Sequence, residues 1–393
     1  MKQFELEDAC IKCGICVSVC PVYRVDPEFP GPKALGPDWY RRYQAGEPSA
    51  MAHVDDCTFC QLCESACPAG VPIAHLIAEH KERSRKPARL AARDYILTHP
   101  QWLANLPVMA RSPKLLARPL GIASAADWPK PSKVRSRTLA RPGSRGSAKR
   151  KVAIFVDCFT RGFDSPTLLA AIRILETLGF EARPMPIMSH CCGAAAYASG
   201  LRREAERAAR TTYRSITRGL DGVEALITLN ATCDDTLRVE WPKYFGIELG
   251  AKVVPFPEFV QDNLNRQFVD KLKSRSAAER IYTHATCRSK VAHGEGTLYS
   301  LISTISASTP EVLPISCCGA AGSYAFKEEH SAVARELGGR AAKKISGDAV
   351  ILTDSGTCAI HLSEMTGLSA IHPAEWMQRL LGGSERLDED ISI

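Results

Sequence analysis

The stretch Val152-Ala-Ile-Phe-Val-Asp157, which runs directly into Cys158, decides the fold of the larger part of the chain. Its apolar run is typical of a buried strand. A helical pattern follows at Leu168, Ile172 and Leu175, and another apolar run comes after it. Strands that alternate with helices in this way predict an α/β unit with a mainly parallel sheet.

The same order of features occurs twice. The second strand of the first copy is predicted at residues 225–230, and the strands of the second copy at residues 281–284 and 349–354. Each copy holds four cysteines, namely Cys158, Cys191, Cys192 and Cys233 in the first, and Cys287, Cys317, Cys318 and Cys358 in the second. Ligands of parallel sheets collect beyond the carboxyl ends of strands, where these cysteines stand. The repeat therefore predicts cluster or metal binding, with packing of small buried side chains as the alternative.

The N-terminal part contains two copies of a different motif. They are Cys10-x2-Cys13-x2-Cys16-x3-Cys20-Pro21 and Cys57-x2-Cys60-x2-Cys63-x3-Cys67-Pro68. In this bacterial ferredoxin spacing, three thiolates hold one cluster and the fourth reaches the other. The expected ligand sets are Cys10, Cys13, Cys16 and Cys67 for one [4Fe-4S] cluster, and Cys20, Cys57, Cys60 and Cys63 for its partner. One such motif also suits zinc, but two in tandem, each closed by Cys-Pro, favour clusters.

The composition is that of a globular protein. The chain has 393 residues, of which 45% are hydrophobic and 24% charged, and this suits two or three domains. Its apolar runs are shorter than the roughly 18 residues of a membrane-spanning helix, and acidic residues stand where a signal peptide would be apolar. We therefore expect a cytoplasmic protein, whose sixteen cysteines bind metal rather than form disulfides.

These patterns divide the chain into four parts. Residues 1–85 are predicted to form a mainly helical two-cluster ferredoxin domain, and residues 86–150 a basic, proline-rich linker that docks on a membrane or a partner. Residues 151–275 and 276–393 are predicted to be two repeated α/β cysteine-rich domains. The predicted fold class is therefore α/β, with a helical domain in front of the repeat.

The positive charge is concentrated in one segment. Between Lys81 and Lys151 there are eighteen basic and three acidic residues, a net charge of +15, whereas the whole chain carries +7. Within it, the stretch from Tyr95 to Trp128 mixes apolar, aromatic and basic residues, which suits the headgroup layer of a membrane. Packing against the chain's own domains or a partner subunit is the alternative. Since no nucleic-acid recognition module accompanies the charge, we expect no nucleic acid partner.

The double ferredoxin motif followed by two Cys…Cys-Cys-Gly…Cys domains resembles the cysteine-rich-domain (CCG) family. This family includes the C subunits of anaerobic glycerol-3-phosphate dehydrogenases, iron–sulfur subunits of glycolate and lactate oxidation systems, and heterodisulfide reductase subunits. The likeness to the glycerol-3-phosphate dehydrogenase C subunits covers nearly the whole chain, including Thr232-Cys233, Trp241-Pro242 and His372-Pro373.

The resemblance implies an electron-transfer subunit that is not itself catalytic towards the organic substrate. It would take electrons from a flavoprotein dehydrogenase towards a membrane quinone, at the inner face of the cytoplasmic membrane. Two [4Fe-4S] clusters are expected in the ferredoxin domain, and one or two further iron–sulfur clusters in the cysteine-rich domains. The sequence has no Gly-x-Gly-x-x-Gly motif after a strand, so the flavin is expected on another polypeptide.

Three alternatives stay open. One is an iron–sulfur subunit of a 2-hydroxy acid (glycolate or lactate) oxidase, and another is a scaffold whose repeat is only structural. The third is a heterodisulfide reductase-like subunit, but such members end each repeat with Cys-x2-Cys, and Asn230 and Ser355 stand where the first of those cysteines would be. Four thiolates suffice for a cubane cluster. His361 is the candidate to replace a missing thiolate, while His190 and His284 also lie near the predicted sites.

Overall fold

The computed structural model describes residues 6–47, 52–84, 86–100, 121–122, 132, 150–185, 191–276, 279–294 and 296–382. The predicted linker lies outside the described residues apart from residues 86–100, 121–122, 132 and 150, and His190 and most of the stretch from Tyr95 to Trp128 also lie outside them. Within the described ranges, no helix is both long enough and apolar enough to cross a membrane.

In the described part of the chain, two parallel sheets of four strands each form the body. The strands are β1 (Arg150–Phe155), β2 (Phe180–Pro184), β3 (Leu226–Thr228), β4 (Val253–Pro255), β5 (Ile281–His284), β6 (Glu311–Val312), β7 (Val350–Thr353) and β8 (Ser369–Ile371). Their order is β2-β1-β3-β4 in the first sheet and β6-β5-β7-β8 in the second, with every neighbouring pair parallel. The two sheets repeat one topology, which confirms the predicted α/β fold.

This strand order creates a crevice in each unit. In each unit the chain passes from the first strand to the strand on one side of it, and later to the two strands on the other side. The connections therefore diverge above the carboxyl ends of the two central strands, and a crevice lies between them. Cys158 follows β1, and Cys233 lies a few residues after β3. In the second unit Cys287 and Cys358 follow β5 and β7 in the same way. The repeat therefore places two cysteines of each copy at the crevice where ligands of such sheets bind.

The N-terminal part is helical, as expected. Its helices are α1 (Ile15–Ser18), α2 (Gly31–Lys33), α3 (Trp39–Gln44), α4 (Leu62–Ser65), α5 (Ile73–Arg83) and α6 (Ala88–Leu97), with a π-helical segment at Ala34–Asp38. Pro37 lies inside that segment, where its missing N–H removes a regular helical hydrogen bond. Trp39 stacks on His80 with ring centroids 4.5 Å apart, which fixes α3 against α5.

The helices of the two sheet units cover both sheets. They are α7 (Cys158–Phe163), α8 (Ser165–Thr177), α9 (Ala194–Ala198), α10 (Arg202–Ile216), α11 (Ala231–Asp235), α12 (Phe256–Asp262), α13 (Arg266–Arg275), α14 (Cys287–His293), α15 (Gly296–Ile305), α16 (Ser331–Ala342), α17 (Gly356–Thr366) and α18 (Pro373–Leu380), with a π-helical segment at Thr236–Phe245. Helix α8 of the first unit packs on α18 of the second. Val152, Ile154, Val350 and Trp376 belong to one buried cluster, so the two units share a core.

A buried charge cluster attaches α6 to the second unit. Arg93 donates to Glu329 at 2.6 and 2.7 Å, and Lys327 lies 3.1 Å from Asp94. Burial alone would raise the pKa of Asp94, but Lys327 and Lys86 hold it well below its usual range. Because Arg93, Asp94 and Lys327 are buried, solvent screens the pairs between them only weakly, and they fix α6 in place.

The Cys-Cys-Gly sequence has a steric cause. Gly193 and Gly319 follow the cysteine pairs and have φ angles of +92° and +88°. A Cβ atom on Gly193 would lie 2.7 Å from the carbonyl oxygen of Ala205, and one on Gly319 would lie 2.4 Å from that of Ala334. Only glycine allows both the left-handed backbone and the close approach of the next helix. The glycine thus sets the distance between the cysteine pair and that helix.

We expect Gly319→Ala to destabilise the protein by about 3 kcal/mol or more, because it adds steric overlap to an unfavourable φ angle. The matched control is Gly347→Ala, since Gly347 has φ +70° but no atom within 4 Å of the added Cβ. The control should lose about 1 kcal/mol. Urea unfolding of the purified variants measures both, and equal losses would show that the contact with Ala334 is unimportant.

Candidate iron–sulfur centres

The four sets of cysteines expected from the sequence are named groups 1 to 4. Group 1 is Cys10, Cys13, Cys16 and Cys67; group 2 is Cys20, Cys57, Cys60 and Cys63; group 3 is Cys158, Cys191, Cys192 and Cys233; and group 4 is Cys287, Cys317, Cys318 and Cys358. All sixteen are free thiols, and most are buried. Their role as iron ligands stays a prediction.

In groups 1 and 2 the fourth cysteine of each motif lies beside the other motif. Burial raises the pKa of Cys16, and the neighbouring Cys10, Cys67 and Cys13 raise it further. Cys67 belongs to the second motif, so the fold brings it across to the first three cysteines.

The reciprocal exchange is seen in group 2. Burial raises the pKa of Cys63 well above its usual value, and Cys60, Cys57 and Cys20 add to the effect. Burial also raises the pKa of Cys20 to about 11. The arrangement is that of a ferredoxin pair, in which each motif lends one thiolate to the other cluster.

The two motif loops share an unusual backbone. Lys12 and Gly14 in the first loop have φ angles of +60° and +80°, and Phe59 and Gln61 at the matching positions of the second have +56° and +64°. Left-handed backbone is unfavourable for residues other than glycine and is found where a site requires it. The N–H of Phe59 donates to Cys57 Sγ at 3.4 Å. Loops of this shape suit wrapping around an anionic group.

Groups 3 and 4 have matching internal contacts. The Sγ atoms of Cys192 and Cys233 are 3.3 Å apart, and those of Cys318 and Cys358 are 3.1 Å apart. The N–H groups of Gly193 and Gly319 donate to Cys191 Sγ and Cys317 Sγ at 3.3 and 3.4 Å respectively. Hydrogen bonds to ligand sulfurs are among the features that tune iron–sulfur clusters.

The donor set and its surroundings fit an iron–sulfur cluster. All four cysteines of group 3 line a cavity of about 120 Å³, and Leu97, Pro100 and Phe326 are among its apolar lining residues. Across the described ranges, no three Cys, His, Asp or Glu side chains converge tightly enough for a single metal ion. Four thiolates are the ligand number of a cubane cluster.

The histidines near groups 3 and 4 have other partners. His361 donates from Nε2 to the carbonyl oxygen of Ala334 at 3.0 Å, the same carbonyl that Gly319 approaches. His284 Nδ1 lies 2.9 Å from Thr353 Oγ1. Burial lowers the pKa of both imidazoles, to about 3 for His284. Ligation by His361 stays a prediction, and the observed bond gives this residue a positioning role.

Asn230 and Ser355, where the family resemblance implies a further cysteine in members that reduce disulfides, stand at helix starts. Asn230 Oδ1 accepts from the N–H of Thr232 at 3.0 Å and caps α11, which carries Cys233. Ser355 is the N-cap position of α17, and its Oγ lies 3.2 Å from Thr357 Oγ1. Both side chains therefore form local hydrogen bonds at the turn that presents a cysteine.

Group 2 lies against group 4. Burial raises the pKa of Cys60, and the largest neighbouring contribution comes from Cys287 of group 4, ahead of Cys20 and Cys57 of its own group. Helix α14, which begins at Cys287, packs on α4 of the ferredoxin part. Group 2 thus lies directly beside the second cysteine-rich unit. Phe59, in the loop of group 2, also contacts Tyr197 of the first unit edge-on, with centroids 5.6 Å apart.

A polar junction that the sequence analysis did not find holds these parts together. Arg288 Nη2 lies 2.6 Å from Asp235 Oδ2 and 2.7 Å from Glu240 Oε1. Gln61, in the loop of group 2, donates to the same Glu240 oxygen at 2.7 Å. Burial raises the pKa of Asp235 to about 6, although Arg288 opposes the effect. The residues come from three parts of the chain, so no local spacing could have revealed them.

Two domain families match parts of this chain. Residues 7–71 match the 4Fe-4S dicluster domain, and residues 152–238 and 281–363 each match the cysteine-rich domain. The resemblance drawn from the sequence is thereby confirmed. The first match contains the cysteines of groups 1 and 2, and the other two contain those of groups 3 and 4.

Several characterised proteins are similar along most of the chain. The C subunit of anaerobic glycerol-3-phosphate dehydrogenase from Escherichia coli K12 is 29% identical over 95% of this chain and 98% of its own length. The glycolate oxidase iron–sulfur subunit of the same strain is 24% identical over 95% and 94%. The D subunit of the dihydromethanophenazine:CoB–CoM heterodisulfide reductase of Methanosarcina barkeri is 23% identical over 70% and 67%. These relatives are subunits of dehydrogenases and reductases.

The exchange of cysteines between the two motifs predicts which variants act on the same cluster. We expect Cys20→Ser to perturb the same EPR signal as Cys60→Ser, although Cys20 belongs to the first motif. Cys67→Ser should instead reproduce the effect of Cys13→Ser. Each variant should lose up to about four irons per chain. EPR of the reduced proteins, with iron and labile sulfide analysis, measures both, and Cys20→Ser grouping with Cys13→Ser would refute the exchange.

Proposed function

We propose that this chain, which matches the 4Fe-4S dicluster domain once and the cysteine-rich domain twice, is an electron-transfer subunit. It accepts electrons from a flavoprotein dehydrogenase of the glycerol-3-phosphate type and passes them towards a membrane quinone. The observation that carries this proposal is the direct neighbourhood of groups 2 and 4, which places the ferredoxin part against the second cysteine-rich unit.

The proposed cofactors are [4Fe-4S] clusters in groups 1 and 2 and one or two further iron–sulfur clusters in groups 3 and 4. When bound, such clusters accept and release single electrons. This chain's residues would hold them close together: Cys60 beside Cys287, and Phe59 beside Tyr197. The left-handed loops and the hydrogen bonds to sulfur keep the thiolates in position with little rearrangement.

The proposed donor and acceptor rest on different observations. The likeness to the C subunit of the glycerol-3-phosphate dehydrogenase extends over nearly the whole of both chains, which supports a related donor. The apolar wall of the group 3 cavity supports an apolar acceptor such as a quinone. The apolar and basic stretch from Tyr95 to Trp128 supports docking on the inner face of the cytoplasmic membrane.

A second candidate donor is an enzyme that oxidises a 2-hydroxy acid. It is favoured by the likeness to the glycolate oxidase iron–sulfur subunit, which also covers most of both chains. A heterodisulfide reductase-like activity is less favoured, because Asn230, which caps α11, and Ser355, which lies 3.2 Å from Thr357 Oγ1, fill the positions of the missing cysteines. Membranes from a deletion strain distinguish the donors: the proposal requires loss of quinone-linked oxidation of glycerol 3-phosphate, with glycolate and lactate oxidation retained.

We expect the anaerobically purified chain to contain about twelve to sixteen irons, and the dithionite-reduced protein to be reoxidised by menadione. The variant Cys158→Ser/Cys191→Ser should lose about four irons and react more slowly with menadione, while its ferredoxin EPR signals persist. Ferricyanide, which is small and hydrophilic, serves as the control oxidant and should still reoxidise the variant. About eight irons in the wild type, or no reaction with menadione, would contradict the proposal.

A further inference from the structure

Lys81 is a buried lysine whose charged end lies next to group 2. It belongs to α5 and is 5% exposed. Its Nζ donates to the carbonyl oxygen of Cys57, a member of group 2, at 3.0 Å. It also donates to the carbonyl oxygen of Ala198, at the end of α9, at 3.0 Å. The ammonium group therefore bridges a group 2 loop and the helix that follows the cysteine pair of group 3.

The position of Lys81 is fixed by close packing. Gly200 faces it with φ +77°, and a Cβ atom on that glycine would lie 2.6 Å from Lys81 Cβ. The chain after α9 therefore passes directly against α5, with no room for a side chain between them. The ammonium group is held where the two segments meet.

Among the described residues, Lys81 has no carboxylate within ion-pair distance. Several other lysines of the described fold have one: Lys33 with Asp38, Lys86 with Asp55 and Asp94, Lys243 with Glu64, and Lys327 with Asp94. Two neutral carbonyl groups satisfy hydrogen bonds but do not neutralise a charge. A buried charge is strongly unfavourable unless an opposite charge compensates it, so the site implies an anion near Cys57.

We infer that Lys81 balances the negative charge of a cluster bound by group 2 and makes group 2 the higher-potential centre of the ferredoxin part. This rests on the proposed function, because it requires a cluster at group 2. Four thiolates give an iron–sulfur cubane a net negative charge, and reduction adds one more electron. A cation fixed in a water-poor setting therefore favours the reduced form.

The lysine beside group 1 is in a different setting. Asp38 raises the pKa of Lys33, and the nearby Cys10 and Cys16 add to the effect. Lys33 Nζ lies 2.5 Å from Asp38 Oδ2, and its side chain is 29% exposed. Its charge is therefore compensated by the carboxylate and screened by solvent. An electron that enters at group 1 would thus move to a more favourable centre at group 2, next to Cys287 of group 4.

The test is a redox titration, followed by EPR, of the full chain and three Lys81 variants. Lys81→Met removes the charge at similar volume, and Lys81→Gln removes it while retaining a hydrogen-bond donor. Both should lower the reduced-to-oxidised ratio of group 2 at fixed potential by roughly tenfold, or about 59 mV for a one-electron couple. Lys81→Arg keeps the charge and should restore the wild-type potential. Lys33→Met is the control and should leave group 2 unchanged.

Each outcome separates the inference from the proposed function. Loss of group 2 iron in both neutral variants but not in Lys81→Arg would also support charge compensation. Unchanged potentials in the neutral variants, or loss of iron in all three Lys81 variants, would assign Lys81 a packing role and overturn the inference. A wild-type chain without iron at group 2 would refute the proposed function itself, whatever the variants do.

Discussion

The buried guanidinium of Arg288 is the contact on which the arrangement of the three parts depends. It lies 2.6 Å from Asp235 and 2.7 Å from Glu240, and Glu240 accepts a second bond from Gln61. Since a buried charge cannot be left unpaired without a large penalty, these partners must stay together in the folded state. Arg288 follows Cys287, and Gln61 follows Cys60. The ion pair therefore holds group 2 and group 4 in a fixed relation.

That fixed relation matters because single-electron transfer requires carriers that stay close without large movements. The crevice between the central strands of each sheet brings Cys158 near Cys233 and Cys287 near Cys358. Gly193 and Gly319 then determine how near the cysteine pair comes to the next helix. Two identical topologies thus give two similar thiol sets, but group 4 is the one that faces the ferredoxin part through Cys60. Group 3 instead lines a cavity with an apolar wall, so the two copies are not equivalent.

The sequence was sufficient for the motifs and the longest strands, because their signals are local. Spacing within Cys10–Cys20 or an apolar run such as Val152–Val156 can be recognised without knowledge of the rest of the chain. The strands β2, β4, β6 and β8 were not predicted, since they are short or partly polar and are defined by their neighbours in the sheet. In the sequence, Lys81 is only the first residue of the segment with the concentrated positive charge. Its burial depends on Gly200, which is far away in the sequence.

The local contacts of Asn230 and Ser355 bear on what the cysteine-rich units do. A site that cleaves a disulfide must offer an open position at which a new bond to sulfur can form. Asn230 and Ser355 instead form local hydrogen bonds at the starts of the helices that present Cys233 and Cys358. In the first unit, Asn230 caps α11 at the position where an additional thiolate would have to point into the site. Four thiolates in each unit, with a left-handed glycine directly after the cysteine pair, favour a centre whose geometry changes little between redox states, which suits a carrier of electrons better than a site of bond cleavage.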